Sequence, residues 1–508
     1  MRIHVIDNKP IKSYVIVGGG TAGWISAAVL SRALPNLNCS ITLIESPNIP
    51  TIGVGEATIP SIIDLLEYLQ IPLKDFLIKT NATFKLAIKF EDWYEKGHSY
   101  WHPFGTVGGK IDGKTFYQHW LKHHFNGGKY DLTDFSPAIA LAKQNKFYIP
   151  EPKNPSNLSG TSYALHFDAG LVAKYLEAYC KNKNIILIKA NVDNVHLARD
   201  GRIDGVVLDT QEKNTNNIIK GDFFIDCSGQ RALLINKALR VGLKNWQHFL
   251  PVDKAVAMQT EKMGSLPPYT VSTAHEHGWR WQIPLQNRTG NGYVYCSDYC
   301  SDDEAISLLQ NNVQGKAITE PKIINFTTGK REKVWYKNCL AVGLSAGFLE
   351  PLESTSIYLI MKSMLNFVQS IPDKNLHEET INEYNRLMDI EYDCIRDFIV
   401  LHYCTSNRTD SNFWKMWQNL PIPDSLQTKL ALFKEHGRLV NNKLDLFSEY
   451  SWYAVLEGMK VRPKAYDPII DASVFEKIES ALHDSVNLLN TNAGKVLSHN
   501  DFIKRLYT

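Results

Sequence analysis

The sequence has almost no surplus of charge: 55 Lys and Arg residues stand against 53 Asp and Glu, a formal net charge of +2. A surface built for polyanions needs a basic excess, so neither nucleic acid nor an anionic membrane is an expected partner. No apolar run is long enough to span a bilayer, and Met1 to Lys12 lacks the charged, apolar and small-residue segments of a secretory signal. Cysteine is scattered. Of eight, only Cys296 and Cys300 lie close together, and no second ligand pair completes a metal pattern, so no metal is expected. Internal repeats and low-complexity tracts are also missing. These gaps argue against a disulfide scaffold, a repeat array and a membrane-spanning protein. What is left is a chain of 508 residues with room for a large core, enzyme-sized, expected in the cytoplasm and compatible with a homo-oligomer.

What is present begins at once. Tyr14 to Val17 reads as a strand entering Gly18-Gly19-Gly20-Thr21-Ala22-Gly23, and Ile25 to Leu34 as a helix that Pro35 ends. Gly18 permits a tight turn, Gly20 lets backbone approach a pyrophosphate, and Gly23 allows the helix to pack closely on its sheet. A second strand, Cys39 to Ile44, ends on Glu45, 22 positions past Gly23, where a ribose-binding carboxylate belongs. Together these predict a dinucleotide site, although they do not separate FAD from NAD. Phe223 to Gly229 and Leu340 to Gly343 favour FAD, because each is an apolar strand with a small-residue turn, resembling the strand ends that close over a flavin in the para-hydroxybenzoate hydroxylase type of fold.

The expected class is therefore α/β (α+β): a Rossmann-like FAD-binding box domain of that type over residues 1–370, then a mainly helical, substrate-side subdomain over 371–508. From Ile357 onward strand-like alternation is scarce. Glu151 to Gly160 is expected as a surface loop and Thr210 to Gly221 as a turn between strands.

Five further segments carry a resemblance. They are Gly53-Val54-Gly55-Glu56-Ala57-Thr58-Ile59-Pro60, Phe84 to Phe90, Leu165-His166-Phe167-Asp168, Trp279-Arg280-Trp281-Gln282-Ile283-Pro284, and Phe348-Leu349-Glu350-Pro351-Leu352-Glu353-Ser354-Thr355. With Gly18 to Trp24 they resemble the flavin-dependent tryptophan halogenase family from Tyr14 to beyond residue 460. The resemblance implies FAD held by Gly18, Gly20, Thr21, Ala22, Gly23, Glu45, Ala57, Val192, Asp226, Gly343 and Leu344. It implies an essential lysine at Lys85 and an essential glutamate at Glu353. Oxygen and a halide would be the co-substrates, and reduced FAD would come from a separate flavin reductase, since no second nucleotide fingerprint is visible.

The residues themselves admit plainer readings. Lys85, Ala87 and Lys89 alternate with Phe84, Leu86, Ile88 and Phe90, a strand with one apolar face and both lysines on the other. Lysines on strand faces are usually solvated, and Lys89 keeps that reading. The resemblance reverses it for Lys85, where an amine in a water-poor passage could hydrogen-bond hypohalous acid or attack it to give a haloamine. Glu353 is expected to polarise the halogenating species and take the proton of the arenium intermediate. Ser354-Thr355-Ser356 precedes apolar positions at helical spacing, so it reads either as ordinary capping or as a halide site on the Thr355 and Ser356 peptide N–H groups. Trp279 and Trp281 share a strand face and read as core. By resemblance they lie, with Ile283 and Pro284, beside the flavin and shield it from the organic substrate.

His102, Pro103, Phe104 and Trp452 are the expected substrate contacts, with His102 and Phe104 matching positions that sandwich an indole. The stretch Phe447 to Gly458 does not reproduce the tyrosine-rich grip on the amino-acid end of tryptophan, and Ser356 stands where the tryptophan enzymes commonly have glycine. Both features point to a branch acting on free indoles, phenols or larger aromatics. Two rivals remain at this level. An aromatic hydroxylase of the flavin monooxygenase class would share the FAD site, and a non-catalytic FAD module would leave Lys85 and Glu353 without purpose.

Overall fold

The computed structural model describes residues 9–35, 38–49, 55–209, 217–440 and 444–508. Gly53 and Val54 of the second glycine motif lie outside these residues, as do the first eight residues of the amino-terminal stretch.

Apolar residues on both faces make Ser13–Val17 a central strand. It pairs in parallel with Ser40–Glu45 on one side and Phe223–Asp226 on the other. Ile185–Lys189 extends the sheet beyond Ser40–Glu45, and Cys339–Ala341 beyond Phe223–Asp226, both in parallel. Trp335–Tyr336 closes that edge antiparallel. The helix Thr21–Ala33 packs on this sheet, with Trp24, Ile25 and Leu30 buried. Strand order and helix match the dinucleotide-binding half that the glycines predict.

A second sheet of seven strands runs in the order Lys322–Asn325, Lys254–Glu261, Arg288–Tyr295, Gly278–Pro284, Tyr269–Ala274, Ala87–Glu91, Ser99–Pro103. A small third sheet joins Glu56–Ala57, Ala164–Phe167 and Thr83–Lys85. The single strand expected over Phe84 to Phe90 is thus two. At Leu86 the chain leaves the small sheet and enters the large one; the Leu86 N–H still donates to the Pro268 carbonyl at 2.7 Å. Lys85 sits at that junction, covered on both sides. The expected polar face is corrected accordingly: Lys85 and Ala87 are as buried as Phe84 and Ile88, and only Lys89 reaches solvent, paired with Glu91 at 2.8 Å.

Residues 151–160 form a stretch of turns that is exposed through Ser156, as expected of a surface loop, and anchored by buried Leu158. Thr210 to Gly221 needs correction, because Ile218–Lys220 is a strand paired with Ile203–Asp209, while residues 210–216 lie outside the described part. Beyond Ser370 the chain is helical, led by the 27-residue helix Glu378–Cys404. That helix is no separate body, because Ile395, Phe398 and Leu401 share one hydrophobic core with the sheets. Among the described residues no helix is long and apolar enough to cross a membrane.

Candidate active site

The dinucleotide end is built from close backbone approaches. A Cβ on Gly18 (φ 121°) would fall 2.1 Å from the Cys227 carbonyl oxygen, whereas one on Gly20 would meet open space. The helix beginning at Thr21 has no capping side chain and no acid in its first turn, so its N–H groups and dipole are free for phosphate. Glu45 packs against Gly19 at the end of its strand. Gly343 (φ 70°) turns the chain after Cys339–Ala341 so that its α-carbon abuts Ala22, with half-exposed Leu344 next to it. Ala57 sits on the small sheet, and Val192 lies on the strand Asn191–Leu197, whose first residue bonds Ser46 at 2.6 Å. Asp226 has both oxygens occupied: it accepts from the Ser228, Leu234 and Ile235 N–H groups and pins the turn after its strand. These residues fit a flavin dinucleotide.

Three motifs that are distant in sequence converge on Lys85. Its Nζ donates to the Thr58 carbonyl at 3.0 Å and to Ser354 Oγ at 2.8 Å. Thr58 is itself tied to Leu165 through both its hydroxyl and its N–H. The remaining valence of Nζ lies near the Phe104 ring, 5.0 Å from its centroid. Burial pushes the Lys85 pKa down to about 7 against the opposing pull of Glu353, so a substantial neutral fraction exists near neutrality. Nearby His166 is buried between Thr83 and Thr270 and, by burial and the proximity of Lys85, is held well below its usual pKa; it adds no competing cation.

Glu353 ends the turn Pro351–Glu353 and is fully buried. Its Oε2 is 2.7 Å from His102 Nδ1, and its Oε1 is 2.7 Å from His402 Nε2. His402 Nδ1 in turn meets the Tyr100 hydroxyl at 2.6 Å. Burial alone would raise the Glu353 pKa, but His102 and His402 override it and hold the carboxyl down to about 2. Ser354 follows in the left-handed region (φ 59°), which turns its hydroxyl back to Lys85. Lysine and glutamate are therefore brought together through one intervening serine. The ordinary capping reading of this segment is not what the structure shows: Thr355 stands at the N-cap of the helix Ser356–Gln369, yet no side chain caps it.

Around His102 lie Phe104, Phe398 and Phe447, with ring centroids at 6.0, 5.4 and 6.1 Å. Pro103 ends the same strand. Trp452 is buried against Phe398 at 5.0 Å, one ring behind this cluster, with Lys429 Nζ 4.1 Å above it. Trp279 and Trp281 share a face of Gly278–Pro284, 6.0 Å apart and buried, with Ile283 and Pro284 following. Sequence reasoning missed His402, Tyr403, Phe398, Ser354 and Thr58. The first three sit on a long amphipathic helix with nothing local to mark them.

A model of the family described as tryptophan halogenase matches residues 13–474. The chain belongs to that family. It is 35% identical to tryptophan 6-halogenase SttH of Streptomyces toxytricini over 94% of this chain and 95% of that one. Among solved structures it is similar to BrvH, a flavin-dependent halogenase from Brevundimonas sp. BAL3, and to Xcc4156, a flavin-dependent halogenase from Xanthomonas campestris. Each has a TM-score of 0.93 and 38% identity, covering 98% of this chain and 99% of that one. This halogenase has the para-hydroxybenzoate hydroxylase-like fold, and members of its family use reduced FAD, oxygen and a halide, with a separate flavin reductase.

Proposed function

We propose that the protein halogenates an electron-rich aromatic ring, a free indole or phenol in place of free tryptophan, with chloride, bromide or iodide, by handing hypohalous acid to Lys85. One observation carries this: a fully buried lysine, with two of its three donor positions satisfied by Thr58 and Ser354, stands beside a carboxylate fixed by two histidines.

Reduced flavin, with oxygen and halide, supplies the oxidised halogen. The proposed halide site is the uncapped helix start at Thr355 and Ser356, whose N–H groups suit a small anion. Trp279, Trp281, Ile283 and Pro284 keep the organic ring away from the flavin. The neutral Lys85 amine attacks hypohalous acid; an N–halogen bond forms, the oxygen–halogen bond breaks, and hydroxide leaves with the amine proton as water. The ring then takes the halogen as the N–halogen bond breaks, and the proton that the ring gives up is returned through Glu353 to the Lys85 nitrogen, which restores the amine. The arenium proton passes to Glu353, which remains competent at low pKa because an arenium carbon is a far stronger acid than a carboxylic acid.

Against a grip on the amino-acid end of tryptophan, the helix Glu449–Gly458 uses Tyr453 and Glu457 internally. The Tyr453 hydroxyl donates to the Gly437 carbonyl at 3.2 Å, and Glu457 accepts from Tyr117 and Arg462. Eight unpaired cysteines support a reducing, cytoplasmic setting. The test supplies FAD, a flavin reductase, NADH and an indole or phenol, with the three halides in parallel, and follows product mass. A halogenated ring is the expected product. Gain of oxygen without halogen would return the hydroxylase reading, and tryptophan as the better substrate would overturn the proposed branch.

A further inference from the structure

Glu350, three residues before Glu353, has no part in the chemistry above, yet it is fully buried and bonded to Trp279. Its Oε2 accepts from Trp279 Nε1 at 2.7 Å and from the Tyr403 hydroxyl at 2.8 Å, while Oε1 is buried with no partner among the described residues. Tyr403 is fixed by a stack on Trp417, centroids 3.8 Å apart, and it follows His402, which holds Glu353. Consecutive side chains of one helix thus grip both carboxylates of one turn, and the same turn grips the indole of Trp279.

We propose that Glu350 is a positioning residue that ties the Trp279 and Trp281 barrier to the turn bearing Glu353, so that oxidant made at the flavin is delivered to Lys85 and is not lost. Trp279 is buried and packed against Trp93 and Trp281, centroids 6.2 and 6.0 Å away, so loss of its Glu350 acceptor would shift the indole and leave its N–H buried without that partner. The barrier would then open without any change at Lys85. Burying an acid here is costly, and an apolar residue would pack more cheaply, which fits a residue kept for geometry and not for stability.

The inference rests on the barrier reading of the two tryptophans. Halogenated product per oxygen consumed is measured in the full-length enzyme for Glu350→Leu, Glu350→Gln and Trp281→Ala, with a trap for free hypohalous acid and peroxide. Glu350→Leu is expected to lower the ratio about tenfold, as loss of a buried hydrogen-bond anchor does, with FAD affinity retained and the missing oxidant recovered in the trap. Glu350→Gln, which still offers a carbonyl to both donors, is expected to restore most of it. In the flavin-free protein carrying ¹⁵N-labelled tryptophan, the Trp279 indole N–H resonance, assigned by Trp279→Phe, should shift in the Leu variant and stay in the Gln variant. An unchanged ratio in Glu350→Leu, or a Gln variant as poor as Leu, overturns the proposal. If Glu350→Leu fails to fold, Trp279→Phe removes the donor together with part of the ring and must lower the ratio; an unchanged value is equally fatal. Should Trp281→Ala also leave the ratio intact, the barrier reading falls; a drop there beside an unaffected Glu350→Leu removes only the role of Glu350.

Discussion

Two carboxylates on one buried turn, Glu350 and Glu353, are pushed in opposite directions. Both are fully buried, and burial favours the neutral acid in each. Glu350 meets an indole and a phenol, weak donors that leave it raised to about 7, while Glu353 meets two imidazoles and is held near 2. Neighbours three residues apart therefore receive different partners from the helix Glu378–Cys404, which sends Tyr403 to one and His402 to the other. The same lesson holds for lysine: Lys85 and Lys89 are four residues apart, yet the crossing at Leu86 buries the first and leaves the second in an ordinary pair with Glu91.

The largest expected effect breaks the lysine comparison. Lys85→Met should cut halogenated product by roughly a thousandfold or more. The same variant should melt higher than the wild type at pH 6. The folded pKa of Lys85 lies near 7, below its ordinary 10.5, so the unfolded chain binds the extra proton between these values and stability rises with pH across that window. The cost of burying the lysine is fully present below pH 7, and the advantage of methionine should shrink toward pH 10, as a pH series of melting curves would record. Next, Glu353→Gln should lower the turnover rate on the order of a hundredfold with FAD binding unchanged, whereas Glu350→Gln should lower it only a few-fold. Equal losses would erase the distinction between the two acids.

His402→Leu sharpens it further. Removing one imidazole should cost about tenfold in rate and raise the Glu353 pKa, read as an upward shift in the titration of its ¹³C-labelled carboxyl. An unmoved carboxyl titration would remove His402 from the control of Glu353. Last and smallest, Lys89→Ala should change activity by less than about twofold, because a half-buried ion pair at the solvent boundary, away from Lys85, contributes little.

Much of this was legible from residue order. Glycine spacing marked the strand, turn and helix from Tyr14 to Ala33, where a Cβ on Gly18 would strike the Cys227 carbonyl, and strand alternation placed Trp279 and Trp281 on one face. Lys85 was legible only through its motif, since alternation alone predicts a solvated face and cannot see a chain that changes sheets at Leu86. The hydroxyls after Glu353 read as caps, but the left-handed turn at Ser354 gives one of them to Lys85 instead. His402 and Tyr403 were invisible for a different reason: a contact across 49 residues from a generic amphipathic helix leaves no local trace.

The most direct test follows oxygen uptake and product together in Lys85→Met, with a trap for free oxidant. Continued uptake, trapped hypohalous acid and no halogenated ring are the expected result. Uptake that falls in step with product would contradict the assignment of Lys85 as receiver of an oxidant made elsewhere.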